Sequence, residues 1–298
     1  MTTRPQLAEL GLGAGKKARL HRILHDHGLR NGTALFLPYD QGLEHGPRDF
    51  FANPQASDPK YIISLALEGG FNGIAVQIGL AEKFYWDFAG ELPLILKLNG
   101  KTDIPPSDQA LSPLNATVED AVRLGADAVG YTLYVGTPAQ ERDLEQYRKV
   151  REDAQRLGMP LVVWAYPRGS AIEAKGGNNS FYAVDYAART ASELGADVVK
   201  VNFPDPNKRT AVKAPYDADF SSQQAIDAVV RSANRTLVLI SGGEKAGDEA
   251  MFEKARESME AGATGLIFGR NVWQRPHEES LRFVGQLRDI LGKYPSVP

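Results

Sequence analysis

Eight short runs of apolar, largely β-branched residues, each separated from the next by an amphipathic stretch, constrain this chain more than any other feature. The runs are Ala34–Pro38, Gly73–Gln77, Leu94–Leu98, Ala126–Tyr131, Leu161–Tyr166, Val198–Asn202, Leu237–Ser241 and Gly265–Gly269. Because they are apolar almost throughout rather than alternating, they suit parallel strands covered on both faces. Helical patterns lie between them, over Tyr61–Glu68, Thr117–Leu124, Leu144–Leu157, Ala183–Leu194, Ser221–Ser232 and Asp248–Glu260. Ser221 followed by Gln224 makes a capping box at one helix start. A helix end, a glycine and a strand start recur together at Gly70, Gly125, Gly195 and Gly262, where a left-handed helix cap is expected. Eight βα units predict an α/β chain folded as a (β/α)8 TIM barrel. A helix over about Lys16–Leu29 makes residues 1–30 an N-terminal helical extension of a single domain spanning 1–298. A doubly wound open sheet is the alternative, and it calls for a glycine-rich fingerprint after the first strand. Residues 38–46 do not supply one.

Composition narrows the function classes. With 43% apolar and 24% charged residues, the chain has the balance of a globular protein rather than a disordered one. The 34 Lys+Arg against 37 Asp+Glu leave a net charge of −3 with no basic block, which argues against nucleic acid as the main partner. No apolar run approaches the ~20 residues of a membrane span. The start, Met1-Thr-Thr-Arg-Pro, lacks the apolar core of a signal peptide. No membrane partner and a cytoplasmic location are therefore expected. Cysteine is absent, which removes disulfides, thiolate-held metals and thiol nucleophiles together. Of the 5 histidines, His21, His25 and His27 cluster near the N-terminal helix, and only His45 lies near a strand end. A catalytic zinc takes three protein ligands as a rule, so neither a metal nor a cofactor is expected.

In a barrel, chemistry sits on the loops at the carboxyl ends of the strands, and here those ends are polar and ionisable. Lys200, in the middle of an apolar strand, is the most unusual residue. A buried ammonium either finds a partner or has its pKa lowered, and an amine so placed can form a Schiff base with a carbonyl. The plainer reading is a lysine paired across the barrel. Lys97 follows the same local logic, and the strand pattern alone does not rank the two. Trp164 and Tyr166 share parity, and Tyr166 stands at the strand end with the hydroxyl needed for general acid–base work. Core packing is the competing explanation for both rings. Asp40 ends the first strand, where it can orient a hydroxyl or simply start a turn. Ser241-Gly242-Gly243 and Gly269-Arg270 end strands seven and eight, the customary place for a phosphate held by loop amides and a cation. The Gly-rich stretch Ala171–Ser180 reads as a flexible loop over the site.

With these residues assembled, the sequence resembles the archaeal-type class I fructose-1,6-bisphosphate aldolases, the DhnA-type family. The motifs that carry the likeness span nearly the whole chain after about residue 30: Tyr39-Asp-Gln-Gly-Leu-Glu-His-Gly-Pro47, Leu96-Lys-Leu-Asn-Gly-Lys-Thr102, Val129-Gly-Tyr-Thr132, Trp164-Ala-Tyr-Pro-Arg-Gly169, Gly195-Ala-Asp-Val-Val-Lys200, Ser241-Gly-Gly243 and Gly269-Arg-Asn-Val-Trp-Gln274. The resemblance implies a metal-free barrel that reversibly cleaves fructose 1,6-bisphosphate to dihydroxyacetone phosphate and glyceraldehyde 3-phosphate. It implies Lys200 rather than Lys97 as the Schiff-base lysine, with Tyr166 as acid–base and Asp40 as the active-site aspartate. It places substrate contacts at Gln41, His45, Trp164 and Arg168, and phosphate contacts at Ser241, Gly242, Gly243, Gly269 and Arg270. A homo-oligomer is expected on the same ground. Gln41, where some archaeal members carry His, and Val201–Pro206 after the lysine depart from the pattern and bear on the sugar rather than the reaction. The competing functions are a related Schiff-base aldolase, condensing or thiolase-like enzyme acting on another phosphorylated ketose, and a non-catalytic sugar-phosphate-binding barrel.

Overall fold

The computed structural model describes residues 4–106, 110–243 and 247–296. Its strands are β1 (Ala34–Pro38), β2 (Gly73–Gln77), β3 (Leu94–Lys97), β4 (Ala128–Val135), β5 (Leu161–Pro167), β6 (Val198–Asn202), β7 (Leu237–Ser241) and β8 (Gly265–Ile267). They pair in chain order, all parallel, and β8 closes on β1. The helices are α1 (Ala14–His21), α2 (Gln41–His45), α3 (Pro59–Glu68), α4 (Ile78–Leu80), α5 (Val118–Arg123), α6 (Gln140–Arg156), α7 (Ser170–Glu173), α8 (Phe181–Glu193), α9 (Ser222–Ser232), α10 (Asp248–Glu260), α11 (Arg270–Trp273) and α12 (His277–Leu291). Among the described residues no helix is long and apolar enough to cross a membrane.

The strand period of two sorts the core into two shells. Ala34 and Phe36 point into the barrel with Ala75, Ile95, Val162, Val198 and Leu239. Leu35 and Leu37 point outward, with Ile74, Val76 and Ile240, against the helices. Helix α6 shows why the outer ring forms: its buried residues Asp143, Tyr147, Val150 and Ala154 fall on one face at helical spacing. The cap of α9 is the expected reciprocal pair, with the Gln224 amide donating to Ser221 Oγ and the Ser221 amide to Gln224 Oε1. Gly70, Gly125, Gly195 and Gly262 all adopt positive φ, so each recurring glycine ends its helix in the left-handed conformation.

Several bounds differ from expectation. Strand four was expected at Ala126–Tyr131 but runs Ala128–Val135. Gly125–Asp127 is the turn out of α5, and Thr132–Val135 are strand formers with no punctuation before Gly136. The Asp143 carboxylate then fixes this extension, accepting from the Tyr131 hydroxyl at 2.6 Å and the Tyr134 amide at 3.0 Å. The N-terminal helix is shorter than Lys16–Leu29: α1 gives way to a π-helical turn, Arg22–Asp26, that ends before Gly28 at φ +63°. Helix α12, which closes the outer ring beside α10 and α3, had no counterpart in the sequence reading. The segment expected as a loose loop is folded. It holds α7, and the Asp205 amide and carbonyl bond to Asn179 and Phe181, stitching it to the segment after β6.

The N-terminal segment plugs the end of the barrel opposite the carboxyl strand ends. Leu7, Leu10, Leu20, Ile23 and Leu24 complete the inner core from below. Lys16 pairs with buried Asp197 at 2.7 Å, and Arg22 with buried Asp127 at 3.4 Å. Those aspartates are the last residues of the two Gly-Ala-Asp phrases.

Candidate active site

The carboxyl ends of the strands surround a cavity of about 180 Å³. Every candidate residue lines it: Asp40, Gln41 and His45 after β1, Trp164 and Tyr166 on β5 with Arg168 just beyond it, Lys200 on β6, Ser241 at the end of β7 with Gly242 and Gly243 following, and Gly269 and Arg270 after β8. Lys97 does not. It lines a much smaller cavity beside this one, of about 10 Å³.

Lys200 is 5% exposed, and its amine meets the Tyr166 hydroxyl directly while lying 4.2 Å from the centroid of that ring. Burial lowers the amine's pKa to about 7. Asp40 and Glu44 oppose that shift, and the charges of Lys97 and Arg168 add to it. The Tyr166 phenol is pushed the other way, well above 10, first by its dry surroundings and then by Glu44 and Asp40; Arg168, 5.1 Å from the ring, opposes them. The pair therefore offers an amine that sheds its proton near neutral pH beside a phenol that keeps its own. That combination suits attack on a carbonyl followed by proton delivery.

Hydrogen bonds and ion contacts tie together the mouth around this pair. His45 is held through Nδ1, 2.8 Å from the Asp49 carboxylate, and Arg270 lies 3.8 Å from the same carboxylate. Arg270 therefore already has a weak anionic neighbour beside the cavity. Gly269 leaves room for Gln41, since a Cβ there would sit 2.7 Å from Gln41 Nε2 and 2.8 Å from the Pro38 carbonyl oxygen. Gln41 Oε1 is buried with no hydrogen-bond partner among the described residues, an acceptor left open beside the cavity. On the adjoining wall, the Ser241 hydroxyl donates to Asn202, and Asn202 Nδ2 donates to Asn179, at 2.8 and 2.6 Å. Asn271 Nδ2 donates to the Gly243 carbonyl at 3.3 Å. Glu244 and Lys245, which follow this glycine pair, lie outside the described residues.

Sequence reasoning missed Glu44, Asn178, Asn179, Asn202 and Asn271, all of which line the cavity. Asn202 was within reach, since it shares strand parity with Val198 and Lys200. Glu44 stands in the quoted motif after β1, and its carboxylate accepts from the Tyr134 hydroxyl at 3.2 Å. Asn178 and Asn179 read as turn residues until the folded β5 segment carries them to the cavity. Among the described residues no three His, Asp or Glu side chains converge on a position that can hold a metal ion.

A closed parallel barrel with a buried lysine beside a tyrosine at its mouth is a fold and site able to support Schiff-base chemistry. The chain belongs to the DeoC/LacD family of aldolases, which matches residues 34–275. It is 41% identical to the class 1 fructose-bisphosphate aldolase of Thermoproteus tenax over 263 residues, 88% of this chain and 90% of that protein. The Halobacterium salinarum enzyme of the same name is 38% identical over 83% of this chain and 87% of its own length. A solved archaeal fructose-1,6-bisphosphate aldolase, its catalytic lysine covalently bound to the carbinolamine intermediate, superposes with a TM-score of 0.78. It shares 38% identity over 91% of this chain and 98% of that one.

Proposed function

We propose that this chain is a class I fructose-1,6-bisphosphate aldolase, a lyase that reversibly yields dihydroxyacetone phosphate and glyceraldehyde 3-phosphate through a Schiff base on Lys200. The observation that carries the reading is the buried Lys200 amine in contact with the Tyr166 hydroxyl at the cavity floor. The 41% and 38% identical relatives of that name support the substrate.

In this mechanism the unprotonated Lys200 amine attacks C2 of the open-chain sugar, forming a carbinolamine. Tyr166 gives a proton to the departing hydroxyl, water leaves and an iminium forms. The C3–C4 bond breaks as the C4 hydroxyl loses its proton, and the electron pair moves into the iminium to leave an enamine. The aldehyde product departs, C3 takes a proton, and water hydrolyses the imine to release the ketose phosphate and the free amine. Asp40 orients a substrate hydroxyl or that water. Ser241, Gly242, Gly243, Gly269 and Arg270 hold one phosphate, with Gln41, His45, Trp164 and Arg168 around the sugar.

The proposal extends to a homo-oligomer in the cytoplasm, and light scattering on the purified protein measures the subunit number. The deciding experiment is cleavage of fructose 1,6-bisphosphate with both products quantified, with and without EDTA. It is followed by borohydride reduction and peptide mass mapping. An adduct on Lys200 and chelator-insensitive cleavage are expected. An adduct on Lys97 or Lys245, or activity lost to EDTA and restored by zinc, defeats the reading.

A further inference from the structure

Lys97 enters the barrel from β3 and is 1% exposed, deeper than the lysine that lines the cavity. Its Nζ donates to the Thr132 hydroxyl at 2.6 Å, lies 3.5 Å from the Asp40 carboxylate, and sits 4.1 Å from the centroid of the Trp164 ring. An ammonium carries three N–H donors and no acceptor. Here a hydroxyl oxygen, a carboxylate and an aromatic face surround it, which is the environment of a charged lysine. A neutral amine in its place would leave the Asp40 carboxylate, 8% exposed, without its counter-charge.

The fold makes room for this arrangement. Lys97 pairs in register with Gly130 on β4. A Cβ on Gly130 would lie 2.7 Å from Lys97 Cδ and 2.8 Å from Trp164 Cζ3. The missing side chain is the slot in which the lysine stem and the indole lie together. Thr132 is itself fixed, its amide donating to Asn99 Oδ1 at 2.7 Å.

The charged groups facing Lys200 are Asp40 and Glu44 from the segment after β1, Lys97 from β3 and Arg168 from the end of β5. Tyr166 adds a neutral phenol, and the adjoining strand β7 adds Leu239, in register with Lys200. The two carboxylates draw the Lys200 amine toward its protonated form, against the burial that lowers its pKa, and the Lys97 charge acts on the side of burial. Around Lys97 itself burial lowers the pKa below its ordinary value, and the same Asp40 and Glu44, its charged neighbours, oppose that pull.

We propose that Lys97 is a positioning residue of the aldol reaction: its fixed ammonium anchors Asp40 and Trp164 and offsets the field of Asp40 and Glu44 at Lys200, keeping that amine free as a nucleophile. The inference rests on the assignment of Lys200 as the Schiff-base lysine. It is tested by the rate of borohydride trapping with dihydroxyacetone phosphate, measured across pH for the wild type, Lys97→Met and Lys97→Gln, with the adduct located by mass mapping. In both variants the midpoint of the rate–pH curve should move upward by about one unit, roughly a tenfold loss per unit on the acid side, with little loss at high pH. Glutamine keeps hydrogen-bond donors toward Thr132 and Asp40 but no charge, so it remains decisive if the methionine variant does not fold. A Lys97→Gln midpoint equal to that of the wild type overturns the inference, because geometry rather than charge then suffices. An adduct away from Lys200 in the wild type instead defeats the proposed function on which it stands.

Discussion

Both ends of the barrel bury lysine, and Lys16 at the closed end and Lys200 at the open end sit in opposite settings. At the closed end Lys16 lies 2.7 Å from Asp197, both almost fully buried, and the aspartate also accepts from the Leu161 amide at 2.8 Å. At the open end Lys200 forms no ion pair among the described residues and faces a phenol instead. A paired lysine serves as a rivet between the N-terminal helix and the barrel. An unpaired one in equally dry surroundings has its pKa lowered to about 7, the condition an amine needs to act as a nucleophile near neutral pH. The same side chain is structural or reactive according to whether a carboxylate stands within hydrogen-bond distance.

Exchanging the chemistry at the two ends breaks the comparison most sharply. Lys200→Met should abolish turnover and borohydride trapping while the melting curve stays cooperative; residual turnover within tenfold of wild type would return Lys200 to the core. Tyr166→Phe keeps the ring and should lower kcat by ~10²–10⁴-fold, the usual contribution of a general acid–base group. A few-fold effect in steady-state kinetics would leave Tyr166 as packing only. Lys16→Met should do the reverse of Lys200→Met: breaking a buried pair costs ~3–5 kcal/mol of stability, read by denaturant unfolding. Turnover per folded molecule should stay at the wild-type level, and a Lys16→Met enzyme that folds normally but turns over slowly would erase the distinction between the ends.

Smaller effects sharpen the picture. Arg270→Ala should remove a charge-assisted bond worth ~1.5–3 kcal/mol, roughly 10–150-fold in kcat/KM, for a substrate carrying the phosphate it holds. Equal losses on substrates with and without each phosphate would make Arg270 a partner of Asp49 alone, which lies 3.8 Å away. The pH profile gives the gentlest test. Only the unprotonated amine attacks, so kcat/KM should fall about tenfold per unit as pH drops below about 7 and level off above it. A flat profile down to pH 5 would mean that the amine is not the group that titrates.

Much of this was legible because the punctuation is strong. Strands β1, β2, β6 and β7 have the expected bounds, each entered from a turn or helix cap and left through a polar or glycine-containing turn. Strand β4 was misplaced because Gly125-Ala-Asp reads as a strand start, whereas the helix cap consumes all three residues. What fixes its far end is Asp143, a carboxylate from the next helix, and no local pattern announces that contact. The candidate site was legible because the strand-end rule gathers residues distant in sequence, and one cavity holds them all. The asparagines were not, since Asn178 and Asn179 carry the signature of turns and become cavity wall only through the Asp205 stitch. The two lysines differ in a way no parity argument reaches. Lys97 turns toward Thr132 and Asp40 in a slot that Gly130 leaves open, whereas Lys200 faces the cavity.

The plug at the closed end also sets a schedule. Lys16 and Asp197 are 181 residues apart, and Arg4 donates to the Tyr294 carbonyl across 290. At a synthesis rate of ~5–20 residues per second, the N-terminal helix waits about 10–40 s before Asp197 exists to receive it. Through that interval Leu20, Ile23 and Leu24 have no floor to rest against, so this early segment is among the last to dock. For a chain built this way, an early apolar segment stays uncovered until strands made much later give it a surface to close against.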